Sequence, residues 1–165
     1  MLHSLVARLL DLVYPPRCLA PGCGNRGAWL CTRCLEQVCP VPEPRCPCCG
    51  VPIGAPGLCH RCRRESPPFR RTSAAGVYAG VLRSAIHALK YDRLTGVADA
   101  LGVLAARAHG AVDPSAVVVP VPSHSDRTVE RGVDQALLLA VVVGREVGRP
   151  VAGDLLARVR STRPQ

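Results

Sequence analysis

The first apolar pattern in the chain is helical. Leu2, Leu5, Val6, Leu9, Leu10 and Val13 recur on one face at helical spacing, which predicts an amphipathic helix over residues 1–15 ended by Tyr14-Pro15-Pro16. After Pro68 the pattern changes to alternating elements: a short strand from Thr72 to Tyr78, a helix from Gly80 to Tyr91 with Val81, Leu82, Ala85, Ile86 and Leu89 on one face, and a second helix from about Gly96 to His109. The run Ala116-Val117-Val118-Val119-Pro120-Val121 lacks polar alternation, as expected of a strand buried on both faces of a parallel sheet. A polar loop from Pro122 to Gly132 precedes an apolar helix from Gln135 to Val147, and Val151 to Ala157 returns as a further strand. That order is the order of an open α/β sheet, in which ligands collect at the carboxyl ends of strands.

Between these regions lies a different kind of sequence. All ten cysteines fall between Cys18 and Cys62. The two halves therefore meet the stability problem differently, with a boundary near Ser66-Pro67-Pro68, so that residues 16–66 form one module and residues 67–165 an α/β domain. The pairs Cys18-x4-Cys23, Cys31-x2-Cys34, Cys46-x2-Cys49 and Cys59-x2-Cys62 each form a tight turn with convergent sulfurs. Two such turns close a tetrahedron about zinc, so four pairs predict two zinc ions. Pairing in sequence order gives one site from Cys18, Cys23, Cys31 and Cys34 and another from Cys46, Cys49, Cys59 and Cys62; an interleaved pairing uses the same turns. Cys39 and Cys48 are left over, and His60, between two ligands, points away from the metal. A disulfide-rich secreted module and a redox pair at Cys31-Thr32-Arg33-Cys34 are the competing readings. Arg8 and Asp11 interrupt the N-terminal apolar run, no signal-peptide pattern appears, and no segment reaches membrane-spanning length, which together predict a cytoplasmic chain and favour metal over disulfides.

Charge adds little to this picture. The formal net charge is +9, but two four-thiolate zinc sites would lower it to about +5. Of the 21 basic residues only Lys90 is lysine, and no long basic block marks a nucleic-acid tail. The apolar fraction is 48% with one Trp, three Tyr and one Phe, so the core is aliphatic and stacking platforms for bases are few. The loop after Val121 offers Ser123, His124, Arg127, Arg131 and Gly132 just before a helix N-terminus, a set suited to phosphate. The run Ser123-His124-Ser125-Asp126 is not a hydrolase triad, because neighbouring residues cannot place nucleophile, base and acid in line. His87 and Lys90 share a helix with the apolar face and default to structural roles.

Six segments in order carry a resemblance to the ComF family of competence-associated proteins. They are Tyr14-Pro15-Pro16-Arg17-Cys18; Arg45-Cys46-Pro47-Cys48-Cys49-Gly50; Cys59-His60-Arg61-Cys62 with Pro67-Pro68-Phe69; Ala88-Leu89-Lys90-Tyr91; Val119-Pro120-Val121-Pro122 with His124; and Glu130-Arg131-Gly132-Val133-Asp134-Gln135. The resemblance implies a double zinc ribbon joined to a type I phosphoribosyltransferase-like domain, association with DNA uptake, and single-stranded DNA or competence proteins as partners. It also implies a continuation past Thr162-Arg163-Pro164-Gln165 into a strand, two adjacent acids and a Thr-Thr-Gly loop that cradles phosphoribosyl pyrophosphate. No adjacent acids and no Thr-Thr-Gly occur in the 165 residues. The expectation is an incomplete α/β domain, truncated before that loop, that is poorly able to hold phosphoribosyl pyrophosphate or to catalyse transfer. Val133-Asp134 replaces the family's Phe-Asn, and the acid is expected to weaken anion binding by the loop. The alternatives are an active phosphoribosyltransferase, if the chain is a fragment of a longer protein, and a zinc-ribbon interaction module unrelated to competence.

Overall fold

The computed structural model describes residues 14–123 and 133–159. The N-terminal helix expected over residues 1–15 lies outside them except for Tyr14 and Pro15, as do His124, Arg127, Arg131, Gly132 and residues 162–165. Five helices are described: α1 (Thr32–Leu35), α2 (His60–Arg64), α3 (Gly80–Tyr91), α4 (Val97–His109) and α5 (Gln135–Val147).

The cysteine-rich part is built twice on one plan. Each half begins with an antiparallel bridge, Arg17 to Arg26 and Arg45 to Pro52, that folds a hairpin around the first cysteine pair. Each then places a short helix directly after the third cysteine, α1 after Cys31 and α2 after Cys59. Gly24 and Gly50 take left-handed φ values of 62° and 72°, which turn the chain back after Cys23 and Cys49 at little steric cost.

α3 buries Val81, Leu82, Ala85, Ala88 and Leu89, one continuous face, against α4, which buries Val97, Ala98, Leu101, Gly102 and Ala106. Small residues set the distance between the layers. A Cβ on Gly102 would come within 2.5 Å of Val142 Cβ on α5, so the two helices approach closely there. Two residues further along α5, a Cβ on Gly144 would overlap Val151, so the same helix presses against the segment after it. α5 is capped at both ends. The Asp134 carboxylate accepts from the Ala136 and Leu137 amides at 2.9 and 3.3 Å, and Gly148 closes the last turn at φ 65°. The Gln135 side chain, buried, donates to the Leu89 carbonyl at 2.6 Å and ties α5 to the end of α3.

The first ribbon is part of this helical core. Cys18, Ala20, Leu30 and Cys34 share one buried cluster with Val81, Leu82, Ala85, Leu89, Val97, Ala98 and Leu101. Trp29 packs on the same cluster, and only glycine fits at Gly96, where a Cβ would overlap the indole. Cys46 and Cys62 of the second ribbon are buried but lie outside that cluster. The second ribbon thus sits at the periphery, held by the segment that follows it.

Three strand expectations are corrected. Residues 72–78 form no strand. Their amides go to the ribbons instead, Thr72 to the Cys48 carbonyl at 2.7 Å and Val77 to the Cys39 carbonyl at 2.8 Å, so the segment is a strap across both ribbons. The valine run makes one parallel bridge, Val118 to Val151, with the Val118 amide donating to Pro150 and the Ala152 amide donating back to Val118. It is not buried on both faces: Val117 and Val121 are 47% and 75% exposed, because among the described residues only one neighbouring segment pairs with it. Beyond Val151 the chain bends, and Leu155 and Leu156 are exposed. Among the described residues the second half is therefore mostly helical, with one parallel pair joined through α5.

Candidate metal centres

The two hairpins bring the eight paired cysteines into two groups in sequence order. Cys18, Cys23, Cys31 and Cys34 have their Sγ atoms within 4.8 Å of one another, and so do Cys46, Cys49, Cys59 and Cys62. Four sulfurs at about 2.3 Å from a tetrahedral zinc lie about 3.8 Å apart. The separations of 3.7 Å between Cys23 and Cys31 and 3.6 Å between Cys49 and Cys59 match that edge length.

Backbone amides point at the sulfurs. The Cys31 amide donates to Cys18 Sγ and the Cys59 amide to Cys46 Sγ, both at 3.4 Å and both across 13 residues of chain. The Cys62 amide donates to Cys59 Sγ at 3.4 Å, and the Asn25 side-chain amide to Cys31 Sγ at 3.7 Å. Such donors stabilise thiolates. The backbone amide of Cys34 holds Cys31 down at about 6, whereas burial pushes Cys34 up to about 12. The second group repeats the arrangement: the Cys59 amide holds Cys46 down at about 6, and burial pushes the Cys62 thiol up. Four such thiols do not ionise together unless a cation sits among them, and a doubly charged metal supplies what the raised thiols lack. All-sulfur, four-fold donor sets with this spacing fit zinc, and with four protein ligands neither site keeps a position open for water.

Cys39 and Cys48 belong to neither group. Cys39 is exposed. Cys48 acts locally as an anchor, since its thiol reaches the Phe69 carbonyl at 3.7 Å and its own carbonyl receives the Thr72 amide, so both ends of the strap's first turn are fixed on the second ribbon. His60 is exposed and is not among the ligands. Of the anion-loop residues only Ser123 is described; what the structure adds is that Asp134 already caps the helix that follows. The internal repeat of the two ribbons was legible in the sequence, because one offset relates Arg17 to Arg45, Cys18 to Cys46, Cys31 to Cys59 and Cys34 to Cys62. The wider first pair, Cys18-x4-Cys23, obscures it.

Among the described residues no helix is long and apolar enough to cross a membrane. Comparison with known proteins agrees with the geometry of the first half. Residues 9–63 match the double zinc ribbon domain family. The chain is 32% identical over 143 residues to the DNA utilization protein YhgH of Salmonella typhi, covering 82% of this chain and 61% of that protein. It is 31% identical over 147 residues to the protein of that name from Escherichia coli K12, covering 84% of this chain and 64% of the other. The chain thus spans about three fifths of the length of these relatives. No solved structure matches it. The N-terminal part of this chain is a double zinc ribbon with two four-cysteine sites, carried by a sequence similar over most of its length to a protein named for DNA utilization.

Proposed function

We propose that the chain is a ComF-like, zinc-stapled protein of DNA uptake or use that acts in the cytoplasm by binding single-stranded DNA or partner proteins. The observation that supports it is the similarity to DNA utilization proteins over more than four fifths of this chain. The metal centres set the mode of action, since closed four-thiolate sites scaffold and do not hydrolyse. Residues 67–165 belong, in this reading, to a type I phosphoribosyltransferase-like α/β domain. The unit Val118, α5 and Val151 supports that assignment, because a parallel pair joined through a helix is the building block of an open α/β sheet. The 165 residues contain neither the adjacent acids nor the Thr-Thr-Gly loop of a phosphoribosyl pyrophosphate cradle, so binding without group transfer is proposed for them.

The test is fluorescence anisotropy of the zinc-loaded chain with labelled single-stranded and duplex oligodeoxynucleotides across a salt series. Binding that weakens steeply with salt supports the proposal. Absence of binding to either form at low salt contradicts it. The transferase reading is tested separately by calorimetry with phosphoribosyl pyrophosphate and Mg²⁺, where micromolar binding would replace the binding-only account.

A further inference from the structure

The positive charge is not spread evenly over the fold. Between residues 44 and 75 stand Arg45, Arg61, Arg63, Arg64, Arg70 and Arg71 against a single acid, Glu65, so this stretch stays cationic after the two negative charges of a zinc-bound second site are counted. The first ribbon, residues 14–43, has three arginines against two acids, and a zinc-bound site there makes it slightly anionic. Basicity is therefore concentrated on the peripheral ribbon, the one that the helical core does not cover. Arg61, Arg63, Arg64 and Arg70 form no ion pair among the described residues.

Two depressions flank the strap on this ribbon. On one side an open, mainly apolar groove of about 730 Å³ is lined by Val51, His60, Arg61, Pro67, Pro68 and Phe69, with sulfur ligands of the second site among the lining residues. Phe69 is 46% exposed and Val51 45%. On the other side a polar trough of about 240 Å³ is lined by Glu43, Arg45, Arg71, Thr72, Ser73 and His109, with Arg45 ion-paired to Glu43, and its continuation, lined by Pro47, Arg70, Arg71 and His109, holds no acid among the described residues. The sequence Phe69-Arg70-Arg71 steps from the first depression to the second. Its geometry is fixed: Cys48 anchors Phe69 and Thr72 on either side, the Arg71 guanidinium donates to the His109 carbonyl at the end of α4, and Ser73 Oγ lies 3.2 Å from His109 Nδ1.

Resting on the DNA-binding reading above, we propose that this face of the second ribbon is the single-strand contact: one base enters the groove beside Phe69, His60 and Pro68, and the adjoining phosphates lie along Arg70 and Arg71, in the acid-free continuation of the trough. The division follows from the charges. A zinc tetrathiolate carries two negative charges, so the groove beside it repels phosphate but accepts an uncharged base against apolar and aromatic walls. Just outside, Arg70, which forms no ion pair among the described residues, and Arg71, whose guanidinium meets only the His109 carbonyl, attract phosphate and release counterions when it docks. Because the strap is pinned before binding, little ordering cost falls on the protein. Trp29, the largest aromatic residue, is no competitor, since its indole is packed against Gly96.

The experiment compares a labelled twelve-nucleotide oligothymidylate with an abasic strand of equal charge on the full zinc-loaded chain. The abasic strand should bind about fivefold or more weakly, the lower end for one stacked base. Phe69→Ala should abolish that difference with zinc content unchanged. Arg70→Gln should make the plot of log affinity against log salt shallower by about 0.7, the value for one phosphate contact on a single strand. Arg83→Glu, an exposed change on α3, serves as the control. Equal affinity for the two strands overturns the base groove and leaves a surface for any polyanion, acidic proteins included. Preferential binding of oligothymidylate that survives both Phe69→Ala and Arg70→Gln overturns this face while leaving DNA binding intact. No binding of either strand overturns the DNA-binding reading together with its placement.

Discussion

Because the first ribbon contributes Cys18, Ala20, Leu30 and Cys34 to the same core as α3 and α4, while the second ribbon does not, the two sites should differ sharply in what their loss does. The perturbation is Cys34→Ser in one variant and Cys62→Ser in another. Both residues are buried ligands, 4% and 7% exposed, so the local chemistry removed is nearly the same. A structural zinc site supplies about 10–16 kcal/mol of binding free energy at neutral pH, as large as the whole stability of an ordinary domain, about 5–15 kcal/mol. Losing the first site exposes Leu30 and the faces of Val81, Ala85 and Val97 that it covers, so Cys34→Ser should unfold the helical part. Cys62→Ser should unfold only the second ribbon and leave α3, α4 and α5 in place. Hydrogen exchange read by mass spectrometry resolves the two cases. The expected result is protection of residues 80–109 and 135–147 retained in Cys62→Ser and lost in Cys34→Ser. Equal loss in both variants, or protection retained in Cys34→Ser, would refute the claim that one ribbon belongs to the core and the other to the periphery.

Other consequences follow from single contacts. Gly102→Ala gains about 1 kcal/mol of helix propensity but forces a methyl onto Val142, an overpacking cost of about 1–3 kcal/mol, so urea denaturation should show no gain or a net loss of stability. A clear stabilisation would mean that α4 and α5 are not in contact there. Asp134→Ala should cost about 1 kcal/mol through the lost cap of α5, whereas Asp134→Asn should change stability by only a few tenths. Asp113, whose carboxylate accepts from the Ser115 hydroxyl and amide, is held below its ordinary value. Its folded-state pKa is the lower one, so its contribution is present above about pH 4 and is lost as the pH falls through the folded value. Asp113→Asn should remove that part of the acid dependence in a pH series of thermal melts.

The regular helices were the most readable part of the fold. Val81, Leu82, Ala85 and Leu89 mark one face of α3, and the limits of α3 and α5 coincide with the periodic apolar runs Gly80–Tyr91 and Gln135–Val147. Local chemistry fixes the ends of α5, Asp134 at one and Gly148 at the other. Strands were less readable, because a β-branched run states only that a residue suits an extended chain, not what will pair with it. The donors of the segment from Thr72 to Tyr78 are taken by Cys48 and Cys39 of the ribbons. The valine run finds a single partner at Val151, and Val117 and Val121 stay exposed among the described residues. Spacing pointed to two four-thiol groups and left their pairing open, and the hairpins that resolve it depend on amide directions that no spacing encodes. Nor does any local pattern say that Trp29 requires a glycine at Gly96, or that Cys34 and Val97 share a core. Those are contacts between segments distant in sequence.

Two closed, all-thiolate zinc sites hold this molecule together, and native mass spectrometry of the purified full chain, with elemental analysis of the same sample, tests that most directly. Two zinc ions per chain are predicted, with ten reduced cysteines after denaturation in a thiol-trapping reagent. A metal content near zero with the cysteines joined as disulfides would contradict it.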